Sequence, residues 1–142
     1  VAVPEYRGTL YGGFMLTAAG PKIVEFNVRF GDPETQVVLP RLESDLVDVM
    51  EAVAEGRADD IHMQWSDQWA VCVVLASEGY PGSYEKGKVI LGVDDAEAME
   101  GITVFHAGTA RNEDGELVTA GGRVLNVVAV ADSFEEARNR AY

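Results

Sequence analysis

The sequence predicts an α+β fold in two parts, antiparallel strands with a helix over residues 1–60 and a small β-rich portion over residues 61–142. Three observations carry that expectation. Two strand-like runs, the second of them alternating, flank a turn near the start, apolar residues recur at helical spacing after residue 44, and short β-branched runs separated by turn signals begin at Trp69.

Residues 10–17 form the first predicted strand, 18–21 a turn and 22–30 the second strand, as in a hairpin. Asp32-Pro33 reads as a helix start, with Asp32 as N-cap and Pro33 at the first helical position. Leu46, Val49, Met50 and Val53 then recur at helical spacing behind Ser44, the expected N-cap, and Gly56 is the stop. The pattern loosens into polar residues over 56–66, and the boundary between the two parts is placed there. Strands are predicted at 69–76, 88–92, 103–107, 116–119 and 122–131, with Asn112-Glu113-Asp114-Gly115 as a turn. A closing helix starts at Ser133, with Glu135 and Glu136 in its first turn, where acidic side chains complement the helix dipole.

Composition bounds the function. At 47% hydrophobic and 25% charged, without repeats or low-complexity tracts, the 142 residues suit an ordinary globular piece. No apolar run is long enough to span a membrane, and no basic-apolar signal peptide leads the chain. The net charge of −13, from 24 acidic and 11 basic residues without a Lys/Arg cluster, argues against a nucleic-acid footprint and disfavours an anionic membrane surface. Much of the excess, including Glu43, Asp45, Asp48, Glu51 and Glu55, falls on apparent solvated helix faces. The one cysteine, Cys72, lies in an apolar run, is expected to be a buried inert thiol, and is compatible with a reducing cytoplasm.

The chemistry concentrates in Glu25-Phe26-Asn27-Val28-Arg29-Phe30-Gly31-Asp32-Pro33-Glu34. Strand alternation puts Glu25, Asn27 and Arg29 on one face and Phe26, Val28 and Phe30 on the other. Residues two apart on a strand are separated by roughly 6.5–7 Å, from which a carboxylate and an amide oxygen can converge on one cation. Both are hard ligands suited to Mg²⁺, and Arg29 adds a permanent charge whose fork matches phosphate oxygens. Metal and arginine together are what phosphoryl transfer requires. Taken alone, the alternation favours a half-wet antiparallel strand, and Asp32 favours plain helix capping.

Arg123 follows Gly121 and Gly122, which let the backbone approach a ligand, so it is a candidate for meeting a phosphate or carboxylate; an exposed arginine after a turn is the competing reading. His106 reads as a structural hydrogen-bonder and His62, without a partner at metal-ligand spacing, as surface. Trp65 and Trp69 read as packing residues rather than a base-stacking platform.

The block from Glu25 to Gln36 resembles the signature of the phosphoribosylamine-glycine ligases, also called glycinamide ribonucleotide synthetases, which are ATP-grasp enzymes of purine synthesis. Leu10-Tyr11-Gly12-Gly13-Phe14-Met15, Leu39-Pro40-Arg41-Leu42 and Ser44-Asp45-Leu46 are also similar to that family. So are Gly79-Tyr80-Pro81-Gly82, Phe105-His106-Ala107-Gly108-Thr109 and Gly121-Gly122-Arg123-Val124-Leu125, in the family's order. The Glu-x-Asn-x-Arg element fixes only the superfamily; the extension after Arg29 and the later motifs make the resemblance specific.

The resemblance implies that residues 1–60 are the carboxyl-terminal portion of an ATP-grasp domain and 61–142 the family's barrel-like C-terminal domain, completing the active-site wall from the side. It implies that ATP phosphorylates glycine and that phosphoribosylamine displaces phosphate, with Mg²⁺ or Mn²⁺ as cofactor. Glu25 and Asn27 are then the metal ligands, Arg29 the catalytic residue for transition-state charge, and Asp32, Glu34 and Arg123 substrate-binding residues. Family members are much longer, so the chain is expected to be a piece of a cytoplasmic enzyme, silent by itself, with the ATP-binding residues upstream. Residues 10–17 hold no carboxylate, so a second metal would need ligands elsewhere. Another ATP-grasp carboxylate-amine ligase, or a non-enzymatic acidic binding module, are the alternatives.

Overall fold

The computed structural model describes residues 5–142. The chain falls into two compact units, one running through Thr35 and resuming over Leu42–Ser66, the other made of Gln36–Arg41 and Asp67–Tyr142.

In the first unit, β1 (Tyr11–Thr17) and β2 (Gly20–Asn27) form the predicted antiparallel hairpin, turning at Ala18-Ala19. One face of it carries Phe14, Leu16, Ile23 and Phe26, all exposed, because a two-stranded sheet has no second layer of its own to bury them. The chain then makes one helical turn, α1 (Thr35–Val38), and a 3-10 turn over Leu39–Arg41.

Helix α2 (Leu46–Ala54) forms where the apolar spacing places it, but Asp45, not Ser44, caps it: the Asp45 carboxylate accepts from Val47 N at 2.8 Å. Ser44 Oγ instead accepts from Gln64 N at 2.8 Å, beside the Leu42–Trp65 bridge, so the residue before the cap ties the helix entrance to the following segment. At the other end, Arg7 Nη1 donates to Ala54 O at 3.1 Å, a cation at the negative end of the helix. A short 3-10 turn at Ala58–Asp60 follows.

The second unit is built on β7 (Arg123–Ala131), the middle strand of an antiparallel sheet ordered β3 (Trp69–Ala76), β7, β4 (Ile102–His106). Being paired on both edges, β7 is the most deeply buried strand: Val124, Leu125, Asn126, Val128 and Ala129 are all buried. Helix α4 (Phe134–Ala141) packs on β3 and β7, and its Ala137 and Ala141 are small enough to let it lie close. Its start is the predicted one, with Ser133 Oγ accepting from Glu136 N at 3.2 Å. Asn126 is the one buried polar side chain among the described residues, and its Oδ1 accepts from Cys72 Sγ at 3.9 Å. Cys72 is therefore half-buried and hydrogen-bonded rather than a fully buried thiol.

The predicted strand at 88–92 is reduced to a single Val89–Val118 bridge, after which Gly92 opens a short helix, α3 (Val93–Glu97), that the sequence did not announce. β5 (Thr109–Arg111) and β6 (Leu117–Thr119) form a second hairpin around the predicted turn, where Asn112 Oδ1 accepts from Glu116 N at 2.8 Å. The strands described make a three-stranded sheet and two-stranded ribbons. No helix among the described residues is long and apolar enough to cross a membrane.

Leu125 sits in the core with Ile102, Val104 and Ala129. Leu125→Ala is expected to lower unfolding stability by about 2–5 kcal/mol, from lost transfer energy plus a cavity, whereas Ser133→Ala removes one cap and costs about 1 kcal/mol. Urea denaturation followed by tryptophan fluorescence measures both; a Leu125→Ala loss no larger than that of Ser133→Ala would mean that the core does not lie where it is described.

Candidate functional site

From the turn, β1 and β2 pair residue for residue back to Phe14 and Ile23, but the next pair is Gly13 with Glu25, which leaves Val24 as a bulge. A one-residue bulge reverses which face the following residues present. Phe14, Ile23 and Phe26 thus share one face, while Glu25 and Asn27 join Tyr11 and Gly13 on the other. Asn27 Nδ2 donates to Glu25 Oε1 at 3.0 Å, so the two predicted metal ligands are brought together. A Cβ added at Gly13 would sit 3.4 Å from Glu25 Cγ, so a larger residue there would press on that carboxylate's stem. Tyr11, directly opposite Asn27, is a member of this face that sequence reasoning missed.

The pair fits a hard cation in a particular way. The described residues contain no group of three or more His, Cys, Asp or Glu side chains able to hold a metal. One carboxylate and one amide oxygen side by side match Mg²⁺ or Mn²⁺ bound by few protein oxygens, with substrate phosphates and water completing the shell.

Arg29 departs from the expectation. β2 ends at Asn27 and the chain bends at 28 and 29, so strand alternation does not carry Arg29 onto the Glu25 face. Its Nη1 donates to Phe30 O at 3.0 Å, which turns the guanidinium onto its own backbone. The helix start at Asp32-Pro33 is also corrected. That peptide is cis, residues 32–34 form a turn, and the helix begins at Thr35, whose backbone N donates to Gly31 O at 3.1 Å. Gly31 O also accepts from Thr35 Oγ1, so this carbonyl receives the backbone N–H of the first helical residue. Glu34 folds its carboxylate back over Gly31, and Asp32 and Glu34 lie in a turn ahead of a single helical turn, too short to present a substantial dipole.

In the second unit, β3 and β7 pair regularly to Leu75 and Leu125, and then Ala76 pairs with Arg123, leaving Val124 as a second bulge. Arg123 therefore shares a face with Ala76, Val74 and Asn126, opposite the Leu125 core face. The close approach that Gly121 and Gly122 permit is intramolecular. A Cβ on Gly122 would lie 2.3 Å from Tyr80 Cδ2, and one on Gly121 2.9 Å from Gly108 Cα. His106 is a hydrogen-bonder as predicted, Nδ1 to Thr109 Oγ1 at 3.0 Å, and His62 is exposed. Trp69 packs edge-on against Phe134, ring centroids 5.9 Å apart. The Arg57 guanidinium is held above its ordinary value by the hydrogen bond and charge of Glu55, just after α2.

Comparison with known proteins gives this geometry a context. The ATP-grasp (A) domain of phosphoribosylglycinamide synthetase matches residues 2–35, which include the Glu25–Asn27 pair, and the C domain of the same protein matches residues 70–142. A phosphoribosylamine–glycine ligase of Rhodopirellula baltica is 54% identical over 138 residues, covering 96% of this chain and 31% of the relative. One from Vigna unguiculata is 50% identical over 141 residues, 97% of this chain and 45% of the relative. The crystal structure of the Thermotoga maritima phosphoribosylamine–glycine ligase superposes with a TM-score of 0.75 at 41% identity, covering 94% of this chain and 32% of that one. An N5-carboxyaminoimidazole ribonucleotide synthetase from the same organism, at 19% identity and TM-score 0.59, shares the fold. The chain thus spans about a third of the length of most of these relatives. With the C-domain model matched over residues 70–142, more than half of its length, the chain belongs to the phosphoribosylglycinamide synthetase family.

Proposed function

We propose that this chain forms part of a cytoplasmic ligase that joins glycine to 5-phosphoribosylamine at the expense of ATP, giving glycinamide ribonucleotide, ADP and phosphate. Residues 1–60 serve as the end of its ATP-grasp domain and residues 61–142 as its C domain. The observation that carries the reading is the 54% identity to a phosphoribosylamine–glycine ligase along 96% of the chain, together with a family match that spans the Glu25–Asn27 pair.

In this reading the glycine carboxylate attacks the γ-phosphorus of ATP, and ADP leaves. The amine of phosphoribosylamine then attacks the acyl carbon of glycyl phosphate, expelling phosphate and forming the amide. Glu25 and Asn27 hold Mg²⁺ or Mn²⁺, which when bound supplies charge neutralisation at the phosphates. Arg29 leaves Phe30 O and places its fork on the transferring phosphoryl group, where a preorganised cation lowers the barrier most. Asp32 and Glu34 orient the amine of a substrate from the turn after the strand. Arg123 takes the phosphate of phosphoribosylamine, for which its planar fork is suited. Neither a nucleic acid nor a membrane enters the reaction.

The test is ADP release by an intact ligase carrying these residues. Glu25→Ala and Arg29→Ala are each expected to lower kcat by roughly 10²–10³, the cost of removing one preorganised electrostatic contact, with glycine dependence retained. The 142-residue chain alone is expected to release no ADP. Full metal-dependent turnover in Glu25→Ala, or ADP release independent of glycine, would sink the assignment. A chelator is expected to abolish activity, and Mg²⁺ or Mn²⁺ to restore it.

A further inference from the structure

Three sequence motifs, of which only Arg123 has a role in the mechanism above, converge on one place. They are residues 79–82, residues 105–109 and residues 121–125, and the structure packs the first two around the third. On one side, Gly108 N donates to Arg123 O at 2.8 Å and Ala107 N to Val124 O at 3.0 Å. Gly108 O in turn accepts from Ala120 N at 2.7 Å and Gly121 N at 3.1 Å. The two glycine backbones touch so closely that a Cβ on Gly108 would lie 2.5 Å from Gly121 Cα. On the other side, Ser77 N donates to Gly122 O and Ser77 Oγ to Gly121 O, both at 2.8 Å. The Tyr80 ring roofs Gly122, and Tyr80 N is tied to Ser77 O at 3.0 Å. Every peptide from 120 to 124 is therefore gripped just where the Val124 bulge sets the facing of Arg123.

We infer that Ser77, Tyr80 and Gly108 are positioning residues for Arg123, a clamp that fixes its backbone so that its guanidinium meets the substrate phosphate in one orientation. The inference rests on the reading of Arg123 as the phosphate-binding residue and extends it to groups that touch no substrate. Strand and core do not by themselves need this arrangement. β7 is already paired on both edges beyond residue 124, and a bulge at a strand end is a device for aiming a side chain. Two glycines in backbone contact and a tyrosine laid on a third leave the segment no alternative path.

The test is a kinetic cycle in the intact ligase, with phosphoribosylamine and ATP varied separately. Ser77→Ala and Tyr80→Ala are chosen because each removes one grip and leaves the glycine contacts in place. Each is expected to raise KM for phosphoribosylamine roughly tenfold, as a misplaced binding group does, with KM for ATP unchanged. Ser77→Thr and Tyr80→Phe are expected to restore it. On an Arg123→Ala background neither substitution should raise KM further, because residues acting through one group are not additive. Thermal melts of each variant report folding. If Arg123→Ala leaves KM for phosphoribosylamine unchanged, the assignment of Arg123 fails and the clamp's purpose with it. If Arg123→Ala raises KM but Ser77→Ala and Tyr80→Ala do not, or raise it equally without Arg123, the clamp is structural and the inference is overturned.

Discussion

Side chains in a strand must alternate between two faces, and both candidate regions of this chain depend on breaking that alternation once. Val24 interrupts the β1–β2 pairing and Val124 interrupts β3–β7, each adding one residue to one strand. Without the first, Glu25 and Asn27 would project on the face of Ile23 and Phe14, among apolar side chains. Without the second, Arg123 would point with Leu125 toward the core, where an unpaired charge cannot be accommodated cheaply. In each case the extra residue is a valine, exposed at Val24 and buried in the core at Val124, and the polar residues after or before it are delivered to the opposite side.

The second bulge is tolerable because of where β7 lies. Pairing with β3 on one edge and β4 on the other satisfies its backbone along most of its length, and α4 covers it through Ala137 and Ala141. The strand can spare its first residues from regular pairing. Those residues are instead held by the loop after β4 and by the chain leaving β3. The first bulge has no such support. β1 and β2 are each other's only partners among the described residues, so the polar face there is stiffened by the Glu25–Asn27 contact and by little else.

The elements with strong periodicity were legible in the sequence, and the devices that aim the side chains were not. Strand β3, helix α2, the Ser133 cap and the Asn112 turn all follow from apolar spacing or from a residue with one obvious local use. Glu25 and Asn27 were legible because the alternation is intact from residue 25 to residue 27. Tyr11 was not. Counting pairs back from the turn sets it opposite Phe26, and only the unannounced extra residue at Val24 moves it to Asn27. The strand placement of Arg29 and the helix start at Asp32 failed for a related reason, since extending the alternation past Asn27 and a helix back to Pro33 ignored a bend and a turn between them. Gly121 and Gly122 were legible as positions of close approach, but one sequence cannot say whether the approaching group is a ligand or, as found, Tyr80 and Gly108.

The apolar face of the first hairpin has a consequence for how copies of this chain meet in solution. Phe14, Leu16, Ile23 and Phe26 lie open on a two-stranded ribbon that pairs with no third strand among the described residues, and exposed apolar faces and open strand edges are where strands associate. Against that attraction stands the charge of −13, which repels any second copy before the short-range contact can form. The two forces have different reach. Repulsion is cut to a Debye length of about 8 Å at physiological ionic strength, while the attraction between apolar faces is not screened by added salt. Ionic strength, as well as protein concentration, therefore governs how closely the ribbons of two copies approach.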